Sequence, residues 1–308
     1  MNYKSAVISI IGKPNAGKST LLNRLIGHKI SIVTPKVQTT RNMIQGIVTK
    51  DDTQLIFIDT PGIFEPKKSL EKAMVRAAWS SIVGADMVML LLDCNEKLDE
   101  MQRKILERLR QNRVRFIVLV NKVDLMKPGA FVSLGRSGAE VRGPHETLES
   151  WDPRVKLEES TPEKNTFYIS AKTGQGIEDL EKYLTQQAPE REWLYDEDDI
   201  TNLPMRFLAA EITREQLFLS LQQELPYNLT VETEKWEEFR NGSVKINQVI
   251  IVARESQKGI LLGKIKAIGE KSRAQIKELL GFDVHLFLFV KVRENWDSSL
   301  VRDISSGR

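Results

Sequence analysis

The sequence predicts a mostly parallel α/β domain with helices on both faces of its sheet, followed by a smaller α+β domain. Through residues 1–188, apolar runs alternate with helix-like runs, the pattern of parallel strands joined by crossover helices. An acidic stretch without periodicity, 189–203, is interpreted as a linker. Beyond it, 204–295 carries both helical and strand periodicity. The chain has 308 residues, more than the ~100–200 of a typical single domain, which also favours two domains.

The sequence patterns argue against a membrane-spanning protein and against a secreted one. The longest apolar runs, such as 246–253 and 284–290, fall far below the ~20 residues that span a bilayer, so no transmembrane segment is expected. Residues 1–5 lack the basic-then-apolar pattern of a signal peptide. The single cysteine, Cys94, excludes an intramolecular disulfide and indicates a reducing compartment such as the cytoplasm. Its place at the end of an apolar strand predicts a packing role.

A glycine-rich sequence lies between the first predicted strand, 6–12, and the first predicted helix, 19–26. It matches the phosphate-binding pattern G-x-x-x-x-G-K-S and consists of Gly12, Lys13, Pro14, Asn15, Ala16, Gly17, Lys18 and Ser19. In this pattern backbone N–H groups face phosphate oxygens at the positive end of the helix. Lys18 reaches the β- and γ-phosphates, and the Ser19 hydroxyl can bind Mg²⁺. The alternative is an ordinary strand-to-helix turn.

A second polar motif is predicted beside this sequence. Residues 28–45 show little periodicity, which predicts a loop that could sense a γ-phosphate. Two adjacent strands, 46–53 and 54–58, follow. The second strand leads into a polar turn made of Asp59, Thr60, Pro61 and Gly62. Asp59 can hold Mg²⁺ through water, and the N–H of Gly62 can reach the γ-phosphate. A simple Pro-Gly turn is the alternative.

The next motifs predict recognition of guanine. A helix over 69–83, a buried strand over 85–94 and a surface helix over 101–109 lead to a strand at 114–120. That strand leads into the motif Asn121, Lys122, Val123 and Asp124. Asp124 can accept two hydrogen bonds from the N1–H and amino group of guanine, which adenine cannot offer. A later strand closes with Ser170, Ala171 and Lys172. The Ala171 N–H could there meet guanine O6.

The order of these motifs is that of the translation-factor-like GTPases. Each motif alone would occur often by chance, but all of them stand at predicted strand ends in one order. Ile63 occupies the position at which Ras-type GTPases have the glutamine that orients the attacking water. Because Ile63 cannot do this, we expect slow hydrolysis by the chain alone, with the water placed by backbone, loop or partner groups.

The second predicted domain is basic over much of its length. Periodicity predicts a helix over 204–224, strands over 229–239 and 243–255, a helix over 264–280 and a strand over 284–292. Between residues 245 and 293 there are ten basic and four acidic residues. Such an excess is typical of surfaces that bind a phosphate backbone, although a solvated helix face explains scattered lysines equally well.

Over nearly its whole length the chain resembles the Era family of bacterial GTPases, which carry a C-terminal KH domain. Beyond the motifs already described, the resemblance rests on the sequence Gln38, Thr39, Thr40 and Arg41, and on 203–215 and 285–292. It implies a P-loop GTPase domain over 1–188 and a type II KH-like domain, α-β-β-α-α-β, over 204–295. The stretch 203–215 is particularly diagnostic because it lies outside the motifs that all GTPases share.

The resemblance implies function and partners. It implies a GTP-hydrolysing factor that binds GTP or GDP with Mg²⁺, contacts the 3′ region of small-subunit rRNA and assists assembly of the 30S subunit. It also implies a cytoplasmic location, partly peripheral at the inner membrane. The expected catalytic residues are Lys18, Thr40 and Gly62. The expected Mg²⁺ ligands are Ser19, Thr40 and Asp59. Asn15 matches an asparagine that related GTPases use to hold K⁺.

Three features depart from the family pattern. An inserted surface segment is expected near 128–165. The KH domain should contain a G-x-x-G loop that clamps nucleotides, but here Gly263 is followed directly by Lys264 and about four residues are missing. The tail, 296–308, lacks an apolar ending and receives no predicted role.

Two alternatives to an rRNA-binding factor stay open, and the missing loop glycine supports the first of them. In the first, the KH-like domain has lost RNA affinity and serves as a protein- or membrane-docking module. In the second, the chain is a nucleotide-dependent metabolic enzyme. The sequence weakens this hypothesis, because its three histidines are isolated and form no additional acid–base or metal site.

Overall fold

The computed structural model describes residues 3–36, 39–126 and 166–306. Gln38 and the whole of the predicted insertion, 128–165, lie outside the described residues. Within them, no helix combines the length and the apolarity needed to cross a membrane.

The first domain is built on a six-stranded sheet with the order β2-β3-β1-β4-β5-β6. Its strands are β1 (Lys4–Gly12), β2 (Ile44–Lys50), β3 (Thr53–Asp59), β4 (Met87–Asp93), β5 (Phe116–Asn121) and β6 (Thr166–Tyr168). Only β2 runs antiparallel to its neighbour, so the mostly parallel sheet is confirmed. The first hairpin strand ends earlier than predicted because Asp51 takes a left-handed φ of 54° and turns the chain.

Helices cover both faces of this sheet, as predicted. They are α1 (Lys18–Ile26), α2 (Ser69–Ser80), α3 (Glu100–Gln111) and α4 (Ile177–Gln187). α1 and α4 contribute Leu21 and Leu180 to one buried cluster, whereas α2 and α3 contribute Ala78 and Ile105 to the other. α4 was not among the predicted elements, although its buried residues recur at helical spacing.

The second domain has the order α-β-β-α-α-β, which confirms the fold implied by the resemblance. Its elements are α5 (Met205–Ser220), β7 (Leu229–Glu238), β8 (Val244–Val252), α6 (Glu255–Leu262), α7 (Ile265–Leu280) and β9 (Val284–Val292). β7 pairs antiparallel with β8, and β8 pairs parallel with β9. A strand was predicted over 243–255, but the observed strand, β8, ends at Val252 because α6 begins at Glu255.

The connection between α6 and α7 consists of Gly263 and Lys264 alone. A G-x-x-G loop would stand at this place in a KH domain. The Lys264 ammonium donates to the carbonyl of Ser220 at the end of α5, 2.8 Å away. The core beneath stays closed, since Leu261 of α6 and Ile268 of α7 are buried in one cluster. The domain therefore keeps its packing without the loop.

The segment 189–203 lies along the edge of the first sheet. Its backbone pairs with Tyr3 and Ser5 near β1, and farther along the Ile200 carbonyl accepts from the N–H of Ile47 in β2 at 2.9 Å. Gln54 of β3 accepts two backbone N–H groups of the segment. The segment is thus fixed to the first domain over most of its length.

The sequence predicted no role for the tail, but its described residues contact both domains. It forms a helix, α8 (Asp297–Ser306), whose Leu300 and Ile304 pack against Met74 and other residues of α2. Trp296 is buried against Val249 and Ile251 of β8. The apolar residues were missed because they are spaced at helical intervals rather than grouped at the end of the chain. The tail therefore joins the second domain to the first.

Replacing Trp296 by alanine should lower the stability of the chain by about 3–5 kcal/mol, because a buried indole leaves a cavity that its neighbours cannot fill. The measurement is the midpoint of denaturant unfolding. Ile260→Ala is the matched control, because Ile260 is an apolar helix residue that is 55% exposed, and its change should stay within ~0.5 kcal/mol. Equal midpoints for both variants would contradict the packing role of the tail.

Candidate nucleotide-binding site

The glycine-rich loop between β1 and α1 has a backbone that only glycine can adopt at one position. Gly17 takes a φ of 100° directly before α1, and a Cβ there would lie 2.3 Å from Nδ2 of Asn121. Gly62 approaches the loop from β3, and a Cβ on it would lie 2.7 Å from the backbone nitrogen of Pro14. The predicted phosphate motif and the predicted turn after β3 are therefore in direct contact.

Lys18 lies inside the concave side of this loop. Its ammonium donates to the carbonyl of Gly12 at 3.2 Å and to that of Lys13 at 2.8 Å. Burial lowers the pKa of Lys18 to about 8, and the nearby carboxylate of Asp59 opposes this shift. An anion bound in the loop would favour the charged form of Lys18, so the arrangement suits a phosphate group.

The three predicted metal ligands come together at the start of α1. Ser19 Oγ lies 2.6 Å from Asp59 Oδ2 and 2.9 Å from Thr40 Oγ1. Asp59 is fully buried, and burial raises the pKa of its carboxyl while Lys18 and the hydroxyls oppose the rise. Ser31, which the sequence did not point to, also donates to Asp59 Oδ2 at 3.0 Å.

The second oxygen of Asp59 tests whether this group fits Mg²⁺. Oδ1 is buried and has no hydrogen-bond partner among the described residues. An unpaired buried carboxylate oxygen beside two hydroxyl groups is a hard, anionic donor set of the kind that Mg²⁺ takes together with phosphates and water. The residues present therefore fit a magnesium ion.

The predicted base-recognition residues lie at the ends of β5 and β6. Asn121 braces the site, since its amide donates to the carbonyl of Ala16 at 2.8 Å. Its Oδ1 accepts from the N–H of Ala171 at 2.9 Å, so that N–H, expected to meet guanine O6, is engaged within the protein. Ser170 donates to Asp124 Oδ1 at 2.6 Å and thereby orients the carboxylate. The Lys122 ammonium is held by Asp93 at 2.6 Å.

These elements enclose a cavity of about 390 Å³. It is lined by the phosphate loop, by residues 32–35, 39 and 40, and by Gly62 and Lys122. Ile63 points away from it and is buried against Ile11 and Ala78 in the core. The geometry therefore agrees with the expectation that Ile63 does not orient water.

Comparison with known proteins identifies the family. Residues 7–122 match the family model described as 50S ribosome-binding GTPase, and residues 224–297 match the KH domain model. GTPase Era of Rickettsia conorii is 54% identical over 302 residues, which cover 97% of this chain and 83% of the relative. The chain belongs to the Era family of GTPases. GTPase Era of Brucella suis is 47% identical over 297 residues, which cover 95% of this chain and 89% of the relative.

Solved Era structures share both domains. Era in complex with MgGDPNP and nucleotides 1506–1542 of 16S ribosomal RNA aligns with a TM-score of 0.84 at 34% identity, covering 96% of this chain and 95% of that one. A variant of Aquifex aeolicus Era bound to GDP and AlF4⁻ aligns with the same TM-score at 35% identity, covering 95% of each chain. A P-loop GTPase domain followed by a KH domain is confirmed, and the chain is a GTPase.

Lys13 joins the phosphate loop to the start of α3. Its ammonium contacts Glu96 at 3.0 Å and Asp99 at 2.7 Å. Asp99 also caps α3 by accepting from the N–H of Gln102 at 2.9 Å. Sequence reasoning missed this contact, and the only local signal for it was an aspartate placed as a helix cap.

The second domain contacts the nucleotide site through the loop 29–41. Glu215 of α5 accepts from the Lys29 ammonium and, at 2.8 Å, from the N–H of Val33. Arg214 donates to the carbonyl of Thr39 at 2.7 Å. The Lys36 ammonium bonds carbonyls at the end of α5. The sequence did not predict these contacts. It identified 203–215, which contains Arg214 and Glu215, only through its match to the family.

Arg41 closes the same junction from the first domain. Its guanidinium donates to the carbonyl of Leu229 at 2.6 Å and to that of Tyr227 at 3.0 Å, and it lies 5.3 Å from the ring centre of Trp296. Burial lowers the pKa of Arg41, but a guanidinium remains charged at neutral pH. The loop that carries Thr40 is therefore held by the KH domain on both sides of that residue.

Proposed function

We propose that the chain is a GTP-hydrolysing factor that binds the 3′ region of small-subunit rRNA and assists assembly of the 30S subunit. One observation carries this proposal. The chain aligns, over nearly the whole length of both domains, with a solved Era structure that contains a 16S rRNA fragment. The excess of basic over acidic residues between positions 245 and 293 supports an RNA partner. The family match removes support from the metabolic-enzyme alternative.

The proposal gives each residue of the site a role. Lys18 binds the β- and γ-phosphates, and the backbone N–H of Gly62 binds the γ-phosphate beside the attacking water. Ser19, Thr40 and Asp59 hold Mg²⁺, which when bound neutralises charge on the phosphate oxygens. The remaining phosphate-loop residues wrap the nucleotide with Thr60 and Pro61 beside them.

Guanine is recognised at the other end of the site. The base lies against the motifs Asn121, Lys122, Val123 and Asp124, and Ser170, Ala171 and Lys172. The orientation of Asp124 by Ser170, at 2.6 Å, supports this role because it fixes the acceptor that guanine requires.

Asp124→Asn should weaken GDP binding about 10- to 100-fold, the effect of losing hydrogen bonds to a charged group. It should favour xanthosine diphosphate, whose C2 oxygen would face the new amide. Fluorescence titration with both nucleotides measures the change. Asp179→Asn, an exposed acid of α4, is the control and should bind GDP as the parent does. Binding of ATP by the parent as tightly as GTP would contradict the guanine assignment.

A potassium ion beside the phosphates belongs to the same proposal. Asn15 has a φ of 63°, and its amide donates to the carbonyl of Pro35 at 3.3 Å, so it lies between the phosphate loop and the loop 29–41. We expect faster hydrolysis in potassium than in sodium salts at equal ionic strength. Asn15→Gly, which keeps the positive φ without strain, should abolish this difference while GDP still binds. Equal rates for the parent in both salts would remove the potassium site.

The shortened connection between α6 and α7 limits how the KH domain can hold RNA. Without a glycine loop the backbone cannot approach the sugar-phosphate chain closely, and the remaining attraction is mostly charge. The basic groups around the connection are Lys264, Lys266, Lys271 and Arg273. We therefore propose that RNA binding is weak and salt-sensitive, with reduced preference for one sequence over another.

One observation favours the docking alternative. Ile260 and Leu262, beside the shortened connection, are 55% and 52% exposed. Exposed apolar side chains near this connection suit a protein or membrane contact better than an RNA phosphate. The peripheral membrane contact implied by the resemblance stays a prediction.

RNA binding separates these functions. The parent should bind the 3′ rRNA segment with a slope of about −3 in log affinity against log salt, as expected for four phosphate contacts on a single strand. Inserting Lys-Gly-Gly-Ser after Gly263 should restore discrimination against a scrambled RNA. Four inserted alanines are the control of equal length and should not. Filter binding over a range of salt concentrations measures both effects.

Tight, sequence-selective binding by the parent at physiological salt would show that other residues form the clamp. No RNA binding at low salt would contradict the rRNA-binding function and leave the docking module.

A further inference from the structure

Thr40 lies in a loop whose conformation the first domain alone does not set. Its hydroxyl is 2.9 Å from Ser19 Oγ and 3.5 Å from Asp59 Oδ2. The residues on its two sides are bound by the KH domain: the Thr39 carbonyl by Arg214, and the Arg41 guanidinium by carbonyls at 227 and 229. The contact to Thr39 affects Thr40 most directly, because it fixes the peptide plane that precedes Thr40.

Arg214 is rigid enough to act as a reference point. It is 2% exposed although it is an arginine. Glu211, one turn earlier on α5, accepts from its Nε at 2.7 Å and also from its Nη2. Its guanidinium lies 5.4 Å from the ring centre of Phe218. A planar guanidinium already held by Glu211 and Phe218 loses little further entropy when it binds a carbonyl, so its bond to Thr39 is preorganised.

The burial of the Arg214 guanidinium lowers the stability of the fold, which indicates a functional role for this arginine. Nη1 of Arg214 is buried without a hydrogen-bond partner among the described residues. A buried charged group with an unsatisfied donor is destabilising, and apolar residues of similar volume are often equally or more stable in such places. Packing between the domains does not by itself require an arginine here. The bond to the Thr39 carbonyl does require a donor at this position.

We infer that Arg214 is a positioning residue for GTP hydrolysis: by holding the Thr39 carbonyl it places the Thr40 hydroxyl beside Ser19 and Asp59, so that the KH domain completes the magnesium site of the GTPase domain. This inference rests on the proposed role of Thr40 as a Mg²⁺ ligand and does not depend on RNA binding. GDP binding should depend little on Arg214, because Lys18 and the phosphate loop lie outside this contact.

The test uses the full-length chain with Arg214→Gln, which keeps a polar side chain but loses the charge and the fork to Glu211. We expect kcat to fall about tenfold, which corresponds to about 1.4 kcal/mol. The Mg²⁺ concentration for half-maximal rate should rise several-fold, while GDP affinity and the KM for GTP stay within about twofold. In the GDPNP-bound protein, hydrogen exchange of the amides in 39–43 should become faster, and Mg²⁺ titration of that complex should give weaker binding.

Two further variants bracket this result. Arg206→Gln is the matched control, because Arg206 is an exposed arginine of the same helix. Among the described residues its side chain makes no hydrogen bond or ion pair to the loop 29–41, so all readouts should match the parent. Arg214→Lys can still reach the Thr39 carbonyl but cannot bind Glu211 in the same way, and it should recover part of kcat. This partial recovery keeps the inference testable if Arg214→Gln folds poorly.

A purely structural role predicts a different pattern. If Arg214→Gln lowers the melting temperature but leaves kcat, the Mg²⁺ midpoint and exchange at 39–43 like those of Arg206→Gln, the inference is overturned. Thr40→Ala distinguishes this from a failure of the proposed site. Parental hydrolysis by Thr40→Ala would remove the ligand role of Thr40 itself, whereas impaired Thr40→Ala with normal Arg214→Gln would remove only the positioning role.

Discussion

The structure of the site depends on one buried carboxylate. Asp59 stands at the end of β3 with no solvent exposure, and an ionised group in such a place is stable only if charges and hydrogen bonds compensate its lost hydration. Lys18 supplies the charge, and the hydroxyls of Ser19, Ser31 and Thr40 supply the bonds. Two other segments of the chain must therefore converge on Asp59 at the end of β3: the start of α1 and the loop 29–41. The phosphate site is the cavity between these segments.

The same requirement explains why the two domains are not independent. The loop 29–41 contains no helix or strand in its described residues, so it has no ladder of hydrogen bonds to keep Thr40 near Asp59. Its polar backbone groups are satisfied from the KH domain by Arg214 and Glu215, and its own Arg41 is satisfied there in return. The contacts are mostly charge-assisted, and they are stronger and more directional than neutral hydrogen bonds. Apolar packing of the tail on α2 closes the other side of the junction.

Much of the GTPase domain could be predicted from the sequence because its motifs stand where strand periodicity ends. Parallel strands bring their carboxyl ends to one edge, so motifs far apart in sequence, such as those at Asp59 and Asn121, meet without any knowledge of side-chain contacts. Contacts between domains leave no such signal. Arg214 and Thr39 are separated by more than half the chain, and neither hydrophobic period nor turn chemistry records which arginine of a helix meets which carbonyl. α8 escaped prediction for a related reason, since Leu300 and Ile304 have meaning only against the apolar face of α2.

The segment between the domains has a mechanical consequence. Although 189–203 has the composition of a flexible linker, its backbone occupies hydrogen-bonding positions along the first sheet up to Ile200, and Asn202 still bonds Gln45 of β2 at 2.8 Å. α5 begins at Met205. The connection to α5 is thus reduced to Leu203 and Pro204, Leu203 packs against the core of the first domain, and proline further restricts the backbone. A tether this short keeps the KH domain at a very high effective concentration beside the loop 29–41, so contacts across the junction re-form rapidly after any opening.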